Sequence, residues 1–342
     1  MEKIKVAING FGRIGRQAFK IAIDKPEIEI VAINDLTSPE VLAQLLKYDT
    51  NYGKFSKSVS FDETHIIVDG HSYLVSAEKE PKALPWGKLE VDVVLESTGR
   101  FTDSEKASGH LEAGAKRVII SAPAKDEGMT TTYVLGVNED KYNGESIISN
   151  ASCTTNCIAP VAAVMQSKFG IEKAMMTTIH SYTAEQNLVD GPPPGGHSND
   201  MRRARAAAMN IVPTTTGAAI SATETIPALK GLFDGMAIRV PTSVGSLSDF
   251  TMLLSKDVTV EEVNQAFIDA SSHPLFKDKL VVTTEPVVSS DIVGNPASAI
   301  VDLSLTKVTA GNMVKVIAWY DNEFGYSNRF VEQAILVGRT IK

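Results

Sequence analysis

The stretch Lys3-Ile4-Lys5-Val6-Ala7-Ile8-Asn9-Gly10-Phe11-Gly12-Arg13-Ile14-Gly15-Arg16 decides the fold class. Residues 3–9 form a short apolar run ending in Asn-Gly, and a helical pattern follows through Ile23. Glycine patterns of this kind are common alone. Here the pattern follows a strand and opens a helix, and an acidic residue, Asp35, lies twenty positions after its last glycine. That context is the dinucleotide-binding fingerprint. Gly10 permits the tight turn, Gly12 lets backbone approach a pyrophosphate, and Gly15 permits close helix–strand packing. The helix N-terminus then receives the phosphates. Asp35 ends a second strand, 28–33, where a carboxylate can accept hydrogen bonds from a ribose diol; the alternative is a turn or cap residue. NAD is expected over NADP, because a 2′-phosphate would meet Asp35 and Leu36-Thr37-Ser38 offers no arginine.

Further apolar runs at 91–95, 117–121, 133–137 and 146–149 extend this strand–helix alternation into a largely parallel, doubly wound sheet. The texture then changes. Residues 174–182, 235–241, 248–254 and 312–320 read as longer strands, and Thr259-Val260-Glu261-Glu262 is a capping box opening a helix toward Ala270. The expectation is α/β: an N-terminal Rossmann domain plus an α+β catalytic domain with a mainly antiparallel sheet. The boundaries are 1–152, 153–320 and a closing helical segment, 321–342.

The 342 residues suit two domains. Hydrophobic residues make up 43% and charged residues 22%, ordinary for a globular chain, and the net charge of −8 argues against nucleic-acid or anionic-membrane partners. An anionic substrate would therefore need local cations. No signal peptide or run of about 18 apolar residues is read. The only cysteines, Cys153 and Cys157, sit four apart, which argues against a disulfide framework and fits a cytoplasmic setting. No His/Cys/carboxylate cluster has metal-ligand spacing.

The nine residues Ser149-Asn150-Ala151-Ser152-Cys153-Thr154-Thr155-Asn156-Cys157 place a thiol where a strand gives way to a helical pattern. A helix N-terminus favours thiolate, the nucleophilic form. A small buried cysteine is the other reading, and the flanking hydroxyls speak against it. A hydride acceptor beside such a thiol suggests aldehyde oxidation through a hemithioacetal and a thioester. That scheme needs a base. Of six histidines, His180 ends an apolar strand before a loop, a usual place for a catalytic side chain. His65, His71, His110 and His273 read as surface residues, and His197 has no assignable role. Pro213-Thr214-Thr215-Thr216-Gly217 is a plausible anion nest, and Arg239, inside the apolar strand around residues 236–240, needs an anionic partner.

These motifs resemble those of phosphorylating glyceraldehyde-3-phosphate dehydrogenases. The resemblance covers nearly the whole chain: residues 9–16, 149–157, Thr177-Thr178-Ile179-His180 and Trp319-Tyr320-Asp321-Asn322-Glu323-Phe324-Gly325-Tyr326-Ser327. It implies oxidation of D-glyceraldehyde 3-phosphate with NAD+ and inorganic phosphate, with Cys153 and His180 catalytic. It carries cofactor binding over to Arg13, Ile14, Thr98, Ser121 and Asn322. It carries substrate-anion binding over to Ser152, Thr154, Thr183, Arg205, Thr216, Gly217 and Arg239. Arg202 and Arg203 read instead as a solvated or interface face. The closing helix would return to the first domain, and the protein would be a homotetramer. Residues 190–202 are longer and richer in Pro and Gly than the family pattern, in a loop that packs on a neighbouring subunit. The runner-up readings are erythrose-4-phosphate dehydrogenase and a non-catalytic binding protein.

Overall fold

The computed structural model describes residues 2–126, 128–193 and 200–341. The chain divides into two compact units. One comprises Met1–Tyr133, Asp140–Ser152 and Ser327–Lys342; the other comprises Val134–Glu139 and Cys153–Tyr326.

The first unit is built on a nine-stranded sheet. Its spatial order is Thr131–Thr132, Ile147–Ser149, Arg117–Ile120, Val93–Glu96, Ile4–Asn9, Ile28–Asn34, His71–Ser76, His65–Val68 and Val59–Phe61. Pairing is parallel as far as His71–Ser76, and the last two strands join antiparallel. Strands covered on both faces read as continuous apolar runs. Val93–Glu96 is buried throughout, as is nearly all of Ile4–Asn9. The antiparallel edge, 59–76, alternates and carries polar residues, so it gave no strong signal in the sequence.

The run at 133–137 is not a strand. The chain turns there, and Val134 N–H donates to Asn138 Oδ1 at 2.8 Å. From Val134 to Glu139 it belongs to the second unit.

The second unit carries an eight-stranded sheet. Its main order is Val212–Thr214, Phe233–Val240, Ile171–Ser181, Ser246–Leu254, Met313–Tyr320, Ala299–Asp302 and Leu280–Thr283, with Lys307–Thr309 pairing beside Met313–Tyr320. Four pairings along the main order are antiparallel; Ile171–Ser181 with Phe233–Val240 and Leu280–Thr283 with Ala299–Asp302 are parallel. The Cys153–Phe169 helix packs on this sheet. The helix Val260–Ser272 opens with the expected capping box: Thr259 Oγ1 accepts from Glu262 N–H, and Glu262 accepts from Thr259 N–H.

Candidate active site

The glycine turn has the geometry its sequence demands. Gly10 sits at φ +92°, where a side chain is strained, and a Cβ there would lie 2.7 Å from Thr98 N. A Cβ on Gly15 would lie 2.0 Å from Gly10 O, so the helix Arg13–Ala22 can seat only with glycine at that position. At Gly12 no atom lies within 4 Å of a built Cβ. That is the approach a bulky diphosphate needs, at the N-terminus of a ten-residue helix.

Gly10, Gly12, Asn34, Asp35, Ser97, Thr98, Lys79 and Arg100 line one cleft beside this turn. Asp35 Oδ2 accepts from Phe11 N–H at 2.8 Å and Oδ1 from Thr37 N–H at 3.0 Å. The carboxylate therefore pins the turn as well as facing the cleft. Arg13 is turned to Asp49, 2.6 Å away, and holds that carboxyl below its usual range against the opposing effect of burial. Ile14 is half-buried in the first helical turn, and Ser121 follows Arg117–Ile120, its N–H donating to Glu96 O at 2.9 Å. The residues present fit a dinucleotide.

In the second unit, strand register does the assembling. Ile171–Ser181 and Phe233–Val240 run parallel with His180 opposite Arg239. Cys153 begins its helix with Sγ 3.5 Å from His180 Nε2. His180 Nδ1 lies 2.7 Å from Ser181 O, a contact that requires a proton between them. We assign that proton to Nδ1, leaving Nε2 as the acceptor facing the thiol. Arg239 Nη1 donates to the same carbonyl at 3.0 Å and lies 2.8 Å from the ring Nδ1.

Burial drives both reactive groups toward neutrality. It raises the Cys153 thiol, opposed first by the Arg239 guanidinium and then by the Thr154 hydroxyl. Burial, and then Arg239, push His180 down to about 3. Both shifts favour the neutral forms, thiol and imidazole, against the thiolate that the helix N-terminus alone favours. Cys157 is fully buried and raised well above an ordinary thiol. Both cysteines are free.

Tyr320 escaped the sequence reading. Its hydroxyl bonds those of Thr154, at 2.9 Å, and Thr178, at 2.7 Å, and its ring meets His180 edge-on at 6.0 Å. It lies in the motif at 319–327, but nothing local there shows that the strand Met313–Tyr320, next to Ser246–Leu254, carries its ring to His180. Asn322 Oδ1 accepts from Gly245 N–H and Ser246 Oγ–H.

Two arginines differ in burial from what the sequence suggests. Arg205 is exposed, its side chain 61% accessible, and pairs with Asp190. Arg203, read as solvated, is buried: its side chain is 6% accessible and it pairs with Glu185 and Asp200. The Glu185 oxygen that meets Arg203 also accepts from Arg239 Nη2 at 2.8 Å. One carboxylate therefore joins the two guanidiniums. Thr183 Oγ1, Thr214 Oγ1 and Arg239 Nε are buried without hydrogen-bond partners. Such groups are costly unless something fills them. Thr216 Oγ1 accepts from Ala218 N–H at 3.2 Å, and Gly217 precedes the helix Ala218–Thr225. Ser152 is half-buried before the Cys153 helix.

His110 is also corrected. It is fully buried, bonded to Trp86 and Glu96. The loop 194–199, with His197, lies outside the described residues. Among the described residues no cluster could hold a metal ion, and no helix is long and apolar enough to cross a membrane.

A dinucleotide-binding unit joined to a unit that sets a thiol 3.5 Å from a histidine ring nitrogen has the organisation of a nucleotide-dependent dehydrogenase. Residues 4–104 match the family model "Glyceraldehyde 3-phosphate dehydrogenase, NAD binding domain", and residues 152–322 match its "C-terminal domain". Glyceraldehyde-3-phosphate dehydrogenase of Geobacillus stearothermophilus is 52% identical over 336 residues, 98% of each chain. The enzymes of Mycolicibacterium smegmatis and Priestia megaterium are each 53% identical, covering 99% and 97% of each chain. The chain belongs to the glyceraldehyde-3-phosphate dehydrogenase family.

Proposed function

We propose that Cys153 is the nucleophile and His180 the base of a phosphorylating oxidation of D-glyceraldehyde 3-phosphate to 1,3-bisphosphoglycerate in glycolysis. The 3.5 Å approach of Sγ to Nε2 carries this reading. Cys153 attacks the aldehyde as its proton passes to His180 Nε2, which hands it on to the new alkoxide, so that the hemithioacetal forms with His180 again neutral. His180 then takes the hydroxyl proton of the hemithioacetal, leaving a thioester on Cys153. Bound NAD+ supplies the hydride acceptor. Inorganic phosphate cleaves the thioester, returning the thiol. Formation of NADH from the aldehyde only when phosphate is present tests the reading. Erythrose 4-phosphate turned over as fast under the same conditions would favour the runner-up, which the relatives' names do not support.

The substrate anions are assigned to Arg239 and Arg203, with Thr183, Thr216, Gly217, Ser152 and Thr154 beside them; Arg203 replaces Arg205. Arg239→Leu and Arg203→Leu should each weaken use of the phosphorylated aldehyde relative to unphosphorylated glyceraldehyde by about 1.5–3 kcal/mol, the worth of a charged hydrogen bond. Arg205→Leu should leave that ratio within about twofold, as expected for an exposed pair. A large loss at Arg205 and none at Arg203 would reverse the assignment.

The adenosine ribose is assigned to Asp35, the diphosphate to the turn holding Gly10, Gly12, Arg13, Ile14 and Gly15, with Thr98 and Ser121 alongside and Asn322 offering its amide NH2 to the nicotinamide. Lys79 and Arg100 line the cleft with Asp35, so the expected discrimination is narrower than Asp35 alone would give. Like-charge cost partly offset by two cations gives an NAD preference of about 10- to 100-fold in kcat/KM, at 1.4 kcal/mol per tenfold. Asp35→Ala should bring the two cofactors within about threefold. An unchanged preference would remove Asp35 from the ribose site.

Assembly is assigned to a homotetramer in the cytoplasm. Leu188, Val189, Met201, Met209 and Ile211 are each at least 70% exposed, more apolar surface in one segment than a monomer usually shows. A mass in solution equal to one chain would overturn this.

A further inference from the structure

Beneath the glycine turn lies a polar network built around one buried carboxylate. Glu96 ends the strand Val93–Glu96, opposite Asn9 in the parallel register, and is 1% exposed. Its Oε2 accepts from Asn9 Nδ2 at 2.5 Å and from His110 Nε2 at 3.1 Å. Its Oε1 accepts from Thr98 N–H at 2.8 Å and from the Thr98 hydroxyl. The indole of Trp86 donates to His110 Nδ1 at 2.9 Å. An indole N–H can only donate, so the ring proton sits on Nε2 and points at Glu96. Beyond Asn9 the network continues: Asn34 Nδ2 donates to Asn9 Oδ1 at 2.7 Å and to Glu78 O at 2.9 Å, and Asn34 Oδ1 accepts from Glu78 N–H. Thr98 Oγ1 in turn accepts from Arg100 N–H.

Asn9, Asn34, Glu78, Thr98 and Arg100 all line the cleft; Glu96, His110 and Trp86 do not. Among the described residues no Lys or Arg pairs with this carboxylate, and a buried carboxylate so placed is expensive to keep. What it secures is both walls of the cleft and the Thr98 backbone, which lies against Gly10. We propose that Glu96 is a positioning residue for the dinucleotide, fixing Thr98 on one wall and the Asn9–Asn34 pair on the other, with His110 and Trp86 holding it in register. This rests on the assignment of the cofactor to the Gly10–Asp35 cleft.

Glu96→Gln preserves shape but turns one acceptor into a donor. Either Thr98 or the Asn9–His110 pair then faces an N–H instead of an oxygen. The Kd for NAD+ should rise about 10- to 100-fold, or about 1.4–2.8 kcal/mol. kcat at saturating NAD+ should stay within about threefold, as should the rate of Cys153 alkylation by iodoacetamide without NAD+, both scaled against a factor of ten per 1.4 kcal/mol. Trp86→Phe removes only the far end of the network and should raise the Kd about threefold, which tests the proposal if Glu96→Gln does not fold. Unchanged NAD+ affinity in a folded Glu96→Gln protein, or a Trp86→Phe protein that is merely less stable, would overturn it. Asp35→Ala is the control. If it too leaves both NAD+ affinity and cofactor preference unchanged, the cleft assignment fails, and this proposal with it; if only Glu96→Gln is silent, this proposal alone fails.

Discussion

Cys153→Ser is expected to reduce turnover of D-glyceraldehyde 3-phosphate by about 10⁵- to 10⁶-fold, the scale of losing a covalent nucleophile. Burial already opposes ionisation of the thiol, with Arg239 and Thr154 acting against it. A serine hydroxyl starts far harder to ionise, and the same surroundings cannot close that gap. No thioester would form, so phosphate would have nothing to cleave. Cys157→Ser should keep most activity, because that thiol is packed under the sheet with Sγ 4.0 Å from Ala318 O. Peptide mapping after iodoacetamide should find label on Cys153. Label on Cys157 with Cys153 free would overturn the assignment.

His180→Asn is expected to slow the reaction by about 10²- to 10⁴-fold, the usual worth of a positioned acid–base group. Because His180 is held neutral, its loss removes a proton acceptor and not a cation. The cation that most opposes the effect of burial on the Cys153 thiol is Arg239. The pH midpoint of Cys153 alkylation should therefore rise more in Arg239→Leu than in His180→Asn. A larger rise in His180→Asn would make His180, and not Arg239, the cation that lowers the thiol. Stability gives a second readout. A histidine near 3 when folded and near 6.5 when unfolded binds its proton first in the unfolded chain. Its neutral burial costs nothing above pH 6.5, and stability is lost as pH falls below that, by up to about 1.4 kcal/mol per unit. Urea midpoints at pH 7 and pH 5 should differ less for His180→Asn than for the unaltered protein.

Much of this was written locally. The glycine turn is legible because backbone at φ +92° and a 2.0 Å carbonyl approach admit only glycine. Cys153 is legible because a strand-to-helix junction has its own sequence texture. The errors came where neighbours in space decide. Arg202, Arg203 and Arg205 look alike in sequence, and the phase of the short 3-10 turn Met201–Ala204 determines which one is buried. His110 looked like a surface residue because its partners, Trp86 and Glu96, are 24 and 14 residues away. Tyr320 reaches Thr178 across 142 residues of chain. Composition and periodicity carry no record of such pairings.

The division of the chain also bears on its synthesis. The first unit draws on three separate segments, and the last of them begins at Ser327. In its closing helix Gly338 packs on Ile4, where a Cβ would lie 2.5 Å from Ile4 Cγ2, and Arg339 reaches Glu27. A ribosome that has completed residues 1–152 has therefore made the nucleotide-binding sheet without the helix that covers it. The apolar strand Ile4–Asn9 must wait, part-covered, while the whole second unit is translated. The half of the protein made first is the half finished last, and a nascent chain stalled anywhere before residue 327 would expose that face to chaperones.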